Sequence, residues 1–516
     1  MLSDAIVRFL LFWAIWALVP MAVDGLTALS YLLLMLRRPS RAPAPKKEEA
    51  EPGAALAGGA APISGAAEAE LEQERLRRRS TPPPRFISIV VPVYNAEESL
   101  LRCLKALSAQ TYPARAMEVL CIGNGVSDHS ARMYGRAQQE CAELNVTWID
   151  LVAKGKSKAL NAGAYLARGS LIFTVDADTR LAPDAVQRMV EAFDADDKIG
   201  GACGSIMVDL VPSETRWWWK IVNACEIMEY LSAFRIGRRV QSLRNTLFTL
   251  SGAFSVFRRE ALLGTHRYDD TTVSEDTKVS FDIRNLMGGR WRLVCVPDAR
   301  AYVEPTSSLT RFLAQRLRWQ RGELEVLSLY PKHYRRDGTF ALGDFVGRLL
   351  LSDHTLSFPR LTWTFLIPFM FFLGYSLPLV ALALWITYFL YVLIDLGFLV
   401  SVAGFLMKEY GVRVWSWWFL PFAMPIYRFV LWWPRLSGMI YALNEPASWS
   451  AENEGQRVAR AFTSLVGGVR GFFKAPRKRG PARVAETSET ARTAAGAAPG
   501  RAGRSGGRHA KGRVGA

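Results

Sequence analysis

The chain of 516 residues is poor in the residues that build metal centres and covalent staples. It has six cysteines, Cys103, Cys121, Cys141, Cys203, Cys225 and Cys295, with no CxxC pair and no histidine in ligand spacing. That excludes a zinc site of the usual kind and a disulfide scaffold, and it fits a reduced, cytosolic setting for the region that carries them. The five histidines, His129, His266, His333, His354 and His509, are too dispersed for a cluster. Acidic residues are in deficit, 47 against 64 lysines and arginines, which leaves a formal net charge of +17. The segment 475–516 almost lacks large apolar residues and holds ten Lys or Arg against Glu486 and Glu489. Such a stretch cannot bury enough surface to order itself, and it is read as a disordered basic tail. Beside an apolar region a basic tail suits anionic lipid or the positive-inside bias. No nucleic-acid module accompanies it, so no nucleic acid is expected among the partners.

Long apolar runs, in contrast, are plentiful. Residues 6–36 exceed the ~20 apolar residues that a bilayer requires, and they end in Arg37, Arg38, Arg41, Lys46 and Lys47. The run is too long for a signal peptide and no small-residue cleavage site comes after it, so 1–38 is expected to be an N-terminal transmembrane helix. Pro20 and Asp24 leave a kink or a hairpin open. The basic flank places the downstream region in the cytoplasm. Residues 39–84, rich in Ala, Pro, Glu and Arg, show no apolar periodicity and read as a disordered linker. Further on, 361–380, 382–407 and 414–443 are each long enough to cross, with Trp and Tyr crowding their ends. Pro421, Pro425, Arg428 and Pro434 interrupt the third, and an odd number of crossings would put the basic tail outside. A broken or re-entrant third segment is therefore expected. The plan is C-terminal transmembrane helices over 346–445, then an amphipathic segment and the tail over 446–516. The whole would be a multi-pass protein of the cell membrane with its middle region cytoplasmic.

That middle region, from Phe86 to about Tyr302, alternates short apolar runs with helical patterns: 86–94, 117–123, 146–151 and 170–178 against 97–110, 130–144 and 157–167. Alternation of this kind predicts an α/β domain with a mostly parallel sheet. Ligands of such sheets bind at the carboxyl ends of the strands, so the residues after each run matter most. The first run leads into VPVYNAEE (91–98) and the second into IGNGVSDHS (122–130), two polar loops that composition alone reads as turns. In AKGKSKALNAG (153–163), Lys154, Lys156 and Lys158 surround a glycine at a helix start, where free amides and positive charge suit a diphosphate. A solvated lysine loop is the plainer alternative.

The run LIFTVDADTR (171–180) ends in Asp176 and Asp178. Two carboxylates one residue apart at a strand end suit Mg²⁺ or Mn²⁺, hard cations that take oxygen ligands and keep positions open for phosphate. TTVSEDTKVS (271–280) supplies Glu275 and Asp276, which a helix cap explains as well as a general base does. In QRLRWQRGELEV (315–326), helical spacing puts Gln315, Arg318 and Trp319 on one face, where an amide, a guanidinium and an indole meet. A basic amphipathic helix on a membrane surface, spanning about 311–345, is the alternative.

Taken in order, VVPVYNAEE, GNGVSD, GKSKALNAG, TVDAD, SED and QRLRW resemble the membrane-bound family 2 glycosyltransferases with a GT-A (Rossmann-like) fold, among them the cellulose, chitin, hyaluronan and poly-N-acetylglucosamine synthases. The resemblance covers about 86–330, implies a GT-A domain over 85–310, and extends to the flanking membrane helices. QxxRW marks the polymerising branch. By resemblance Asp276 is the general base, Asp176 the diphosphate-side carboxylate and Asp178 the ligand of Mg²⁺ or Mn²⁺. Gln315 and Arg318 belong near the pyrophosphate, and Tyr94, Glu97 and Lys156 at the nucleotide. Trp319 belongs under the acceptor sugar, with Gly252 of SGAFSVFR and Glu275 on the acceptor side. Asn124 stands where the family usually has Asp, so its contact with the base is less certain. NTLFTLSGAFSVFRRE (245–260) and RWQRGELEV further resemble a subgroup from Gram-positive bacteria encoded beside an exosortase-like membrane protein. The resemblance implies an inverting transferase that moves a sugar from a nucleotide-sugar, a UDP-sugar by expectation, to a glycan acceptor in polysaccharide biosynthesis. Two rivals stand beside it: a non-processive transferase to a polyprenyl-phosphate lipid, and an inactive scaffold for a partner membrane protein.

Overall fold

The structure, a computed structural model, describes residues 83–152, 154–286, 289–330 and 366–444. The expected N-terminal span, nearly all of the linker, the segment 331–365 and the tail lie outside the described residues.

The strands β1 (Ile87–Val93), β2 (Met117–Asn124) and β3 (Val146–Leu151) are joined through the helices α1 (Leu100–Ser108) and α2 (Ser130–Glu140). The chain continues through α3 (Lys156–Leu166), β4 (Leu171–Val175), β5 (Arg180–Leu181), α4 (Ala185–Ala195) and β6 (Ile199–Val208). A long helical stretch comes next: α5 (Trp217–Tyr230), a π-helical turn (Leu231–Gly237) and α6 (Arg238–Leu243). Then come β7 (Phe254–Arg258), α7 (Arg259–Leu263), α8 (Glu275–Leu286), β8 (Arg292–Val303), α9 (Leu309–Ser328), α10 (Leu377–Tyr410) and α11 (Leu420–Asn444).

The eight strands form one sheet in the order β3-β2-β1-β4-β7-β6-β8-β5. Strands β1, β2, β3 and β4 run parallel, as the alternation predicts, and β6 pairs with β8 in parallel. The antiparallel β7 lies between β4 and β6. Every residue of β1, β2 and β4 is buried, the signature of strands covered on both faces. Ile87, Ile89, Val91 and Val93 pack with α1, α2 and α4 on one face. Val90, Leu120, Ile122 and Ile172 pack with Ala159, Leu160 and Ala164 of α3 on the other. The chain runs outward from β1 through β2 to β3 and then crosses back to β4 on the other side of β1, and this reversal opens a crevice at the carboxyl ends there.

Strands β6 and β8 escape a sequence reading for identifiable reasons. β6 (IGGACGSIMV) has two glycines directly after its first residue, and β8 contains Pro297. A register shift after the Gly204–Val296 pair absorbs that proline, and Ser205 Oγ donates to the Pro297 carbonyl at 2.8 Å.

Among the described residues one helix, α10, is long and apolar enough to cross a membrane. At 34 residues it extends about 51 Å, more than the ~30 Å hydrocarbon core needs. Leu377, Trp385, Phe389, Leu393 and Val400 are exposed along it, whereas Val402 and Leu406 are buried in the core of the sheet domain. Tyr410 Oη donates to the Val208 carbonyl at 3.0 Å, which docks the end of α10 on the sheet.

The third apolar segment divides into a 3₁₀ turn (Val414–Trp417) and the helix α11, which runs without interruption through Pro425 and Pro434. Pro421 sits in its first turn, where a missing N–H costs nothing. Arg428, which as sequence suggests a break, is paired with Asp395 of α10, and the neighbouring Arg435 with Glu229 of α5.

Candidate active site

Five segments converge on one cavity of about 620 Å³ at the carboxyl edge of the sheet. Asp176 and Asp178 come directly after β4, Lys156 opens α3, Gly252 precedes β7, Glu275 and Asp276 form the first turn of α8, and Gln315, Arg318 and Trp319 come from α9. Residues named from sequence therefore line a single space, although Lys156 and Trp319 stand far apart in the chain.

Lys156 is the electrostatic centre. Its Nζ lies 2.6 Å from Asp176 Oδ1 and 3.6 Å from Glu275 Oε1. Burial opposes its charge, but Asp176, then Glu275 and Asp276, outweigh that and hold the ammonium well above the usual lysine range. Asp178 has no ion-pair partner among the described residues, and its carboxyl is shifted upward by desolvation first and by the neighbouring Asp176 next. Asp276 is held by the backbone: its Oδ2 accepts from Gly252 N at 2.9 Å and its Oδ1 from Thr277 N at 2.7 Å. These bonds fix the carboxylate's direction and leave lone pairs for a proton. A Cβ built on Gly252 would stand 3.2 Å from Asp276 Oδ2, a tight contact that the glycine avoids.

The opposite wall is aromatic. Phe234 meets Trp319 edge to face at 5.7 Å between ring centroids, and Tyr230 lies 4.9 Å from Phe234 and 6.1 Å from Trp319. Phe234 stands on the π-helical turn, whose wider winding re-aims side chains relative to an α-helix. Neither Tyr230 nor Phe234 was legible in the sequence, because the apolar run 217–237 reads as an ordinary buried helix.

Tyr94, Glu97 and Asn124 do not line this cavity. Tyr94 is exposed, and Glu97 Oε2 accepts from His129 N at 3.4 Å, joining the loops after β1 and β2. Asn124 is buried, and its Oδ1 accepts from Gly155 N at 2.6 Å. The amide thus ties the loop after β2 to the glycine beside Lys156.

Residues 88–264 match the family model described as Glycosyl transferase family 2. The chain carries a family 2 glycosyltransferase domain. Asp276 and the motif on α9 lie beyond that matched span. Poly-beta-1,6-N-acetyl-D-glucosamine synthases of Staphylococcus aureus strain COL and Staphylococcus epidermidis are each 28% identical over 242 residues, 47% of this chain and 55% of theirs. The chain spans about half the length of these curated relatives. Among solved structures, the mannosyltransferase PcManGT from Pyrobaculum calidifontis, in complex with GDP-Man and Mn²⁺, aligns with a TM-score of 0.44 and 16% identity, over 74% of this chain and 96% of that one. TarS 1-349 of S. aureus in complex with UDP aligns with a TM-score of 0.35 and 14% identity, over 71% and 94%.

The cavity depends on how closely α9 approaches the turn before α8. A Cβ at Gly322 would fall 1.9 Å from Ser274 Oγ and 2.6 Å from Ser274 Cβ. Glu325 Oε2 also accepts from Val273 N at 3.0 Å. Gly322→Val is expected to push α9 off the Glu275–Asp276 turn. Turnover should fall while far-ultraviolet circular dichroism stays that of the wild type, and unchanged turnover would show that this contact does not set the site.

Glu275 makes a second test. Desolvation raises its carboxyl above the usual range; Lys156 opposes this and Asp276 adds to it. A carboxyl that binds its proton more tightly folded than unfolded subtracts stability as pH rises from the ordinary glutamate value of about 4.3 towards the raised one. Glu275→Gln removes this titration. Its thermal midpoint is expected to vary less than that of the wild type across about pH 4 to 7. A steeper dependence in the variant would contradict the assignment.

Proposed function

We propose that the protein is an inverting glycosyltransferase that moves a sugar from a nucleotide-sugar, by our reading a UDP-sugar, to a growing polysaccharide or glycan acceptor at the cytoplasmic face of a membrane. The observation that carries this reading is the convergence of Lys156, Asp176, Asp178, Asp276 and the Gln315, Arg318 and Trp319 face on one cavity.

Asp276 takes the proton of the acceptor hydroxyl as its oxygen bonds to the anomeric carbon from the face opposite the leaving group. The bond from that carbon to the phosphate oxygen breaks, and its electron pair leaves with the diphosphate. Lys156 and Arg318 supply positive charge where the diphosphate separates. The aromatic wall of Tyr230, Phe234 and Trp319 offers flat apolar surface to a sugar ring, which supports a saccharide acceptor over a polyprenyl phosphate. Asp176 is already paired with Lys156, whereas Asp178, which lines the cavity, has no ion-pair partner among the described residues. Among the described residues no three His, Cys, Asp or Glu side chains gather into a metal cage. One carboxylate beside a diphosphate fits Mg²⁺ or Mn²⁺, ions that draw most of their oxygens from substrate and water. Such an ion, when bound on Asp178, would neutralise developing charge on the leaving group. Helix α10, the N-terminal run and the remaining apolar segments would anchor the domain in several passes.

The test is UDP release by the full chain in nanodiscs across a panel of UDP-sugars with Mg²⁺ or Mn²⁺. Turnover with one donor names it, and product length separates polymer from single addition. Absence of turnover with every donor, together with absence of metal-dependent UDP binding, would overturn the reading.

A further inference from the structure

Within QRLRW a second arginine, Arg316, is one that the reaction above does not use. Arg316 is 1% exposed and does not line the cavity; it lies among the rings of Trp319, Phe312 and Tyr230, whose centroids are 4.5, 4.6 and 5.5 Å from its guanidinium carbon. Its Nη1 donates to Gln315 Oε1, and its Nη2 donates to Glu229 Oε2 at 2.7 Å, with Glu226 Oε1 3.6 Å away. One buried cation therefore touches both Gln315 and Trp319, the amide and the indole that face the cavity.

Glu229 is in turn gripped from α11. Tyr427 Oη donates to its Oε2 at 2.7 Å, and Arg435 Nη2 lies 3.2 Å from its Oε1. Burial alone would raise the Glu229 carboxyl, but Arg316 and then Arg435 outweigh it and hold the group below the usual range, as an ionised partner should be. Helix α11 also reaches backbone contact with α9. A Cβ at Gly438 would stand 2.8 Å from the Leu317 carbonyl oxygen, one residue past Arg316.

A buried ion pair is by itself weak support for stability, because desolvation offsets most of the attraction. What singles this one out is its geometry. A planar guanidinium can stack on Trp319, bond Gln315 and pair with Glu229 together, which a compact ammonium cannot do. We infer that Arg316 is a positioning residue for the acceptor face of the cavity, and that α11, acting through Tyr427 and Arg435 on Glu229, is a working part of that site. This rests on the transferase reading for its kinetic consequence, but its structural core does not.

The experiment uses the full chain in nanodiscs, labelled with 5-fluorotryptophan, with the Trp319 resonance assigned by its loss in Trp319→Phe. Arg316→Lys keeps the charge beside Glu229 and is expected to shift the Trp319 fluorine signal. Tyr427→Phe should shift it the same way and by less. Arg311→Lys, an exposed position on the same helix, should not move it. With the donor found above and a soluble N-acetylglucosamine pentasaccharide as acceptor, Arg316→Lys should raise the acceptor KM by about tenfold and the donor KM, through Gln315, by less. UDP binding monitors folding, and where Arg316→Lys loses it, Tyr427→Phe decides. An unmoved Trp319 signal in the folded variants would overturn the inference. A wild type without turnover still gives the fluorine readout, so failure of the transferase reading is separable from failure of this one.

Discussion

Replacing Asp276 with asparagine is expected to lower turnover by ~10³-fold or more while the protein still folds and still binds UDP. Asparagine keeps the shape of the side chain but cannot take a proton at neutral pH, so the step in which the acceptor hydroxyl loses its proton has no base. The structural consequence is small and calculable in kind. Asp276 now accepts from both Gly252 N and Thr277 N, and an amide has one acceptor oxygen. One of those two bonds is lost, at a cost of about 1 kcal/mol. The thermal midpoint should therefore fall by only a few degrees, far too little to explain lost activity. Measured UDP release, UDP binding and thermal midpoint separate the two contributions. Turnover above about a tenth of the wild-type rate, a loss smaller than proton transfer is worth, would remove Asp276 from the role of base. Glu275→Gln is the companion. Glu275 lies against Lys156 rather than against two backbone amides, and its loss is expected to affect turnover less.

How much of this site is legible without coordinates depends on where its residues sit. Asp176, Asp178, Lys156 and Glu275–Asp276 each end an apolar run or open a helix, and parallel α/β connectivity then sends them to one edge. Runs such as ISIVVPV are buried along their whole length, so continuous apolar character reports them. β7 is different: it lies within SGAFSVFR, and nothing local says that FSVFR pairs antiparallel with both β4 and β6. Tyr230 and Phe234 reach the cavity through a π-helical turn, a backbone choice settled by packing rather than by a residue pattern. Asn124 shows the converse. Resemblance assigns it to the nucleotide, and the structure adds a partner that motif order does not report, since its amide oxygen accepts from Gly155 N at the rim of the lysine loop. In α11, Arg428 among the prolines suggests a broken segment only while its partner is out of view, and Asp395 of α10 is that partner.

Asp178→Asn should abolish the effect of a divalent ion on donor binding. In the wild type Asp178 lines the cavity, and burial first, then Asp176, disfavours its ionisation, with Lys156 opposing and Glu304 adding a little. A diphosphate entering the same space adds more negative charge, which Lys156, committed to Asp176, only partly offsets. UDP binding without a divalent ion is accordingly expected to be weak, and Mn²⁺ should strengthen it by tenfold or more, since roughly 1.4 kcal/mol suffices for that factor. The asparagine removes one of the opposing charges and also the group that would hold the ion. Metal-free UDP binding should then be unchanged or slightly tighter than wild type, while the gain on adding Mn²⁺ disappears. Calorimetric titration of UDP into both proteins, with Mn²⁺ and with chelator, reads all four corners of this comparison. A simple loss of fold would weaken binding in both conditions, and a metal held elsewhere would preserve the Mn²⁺ gain in the variant. Only a carboxylate that repels the diphosphate alone and attracts it through an ion produces the crossed pattern.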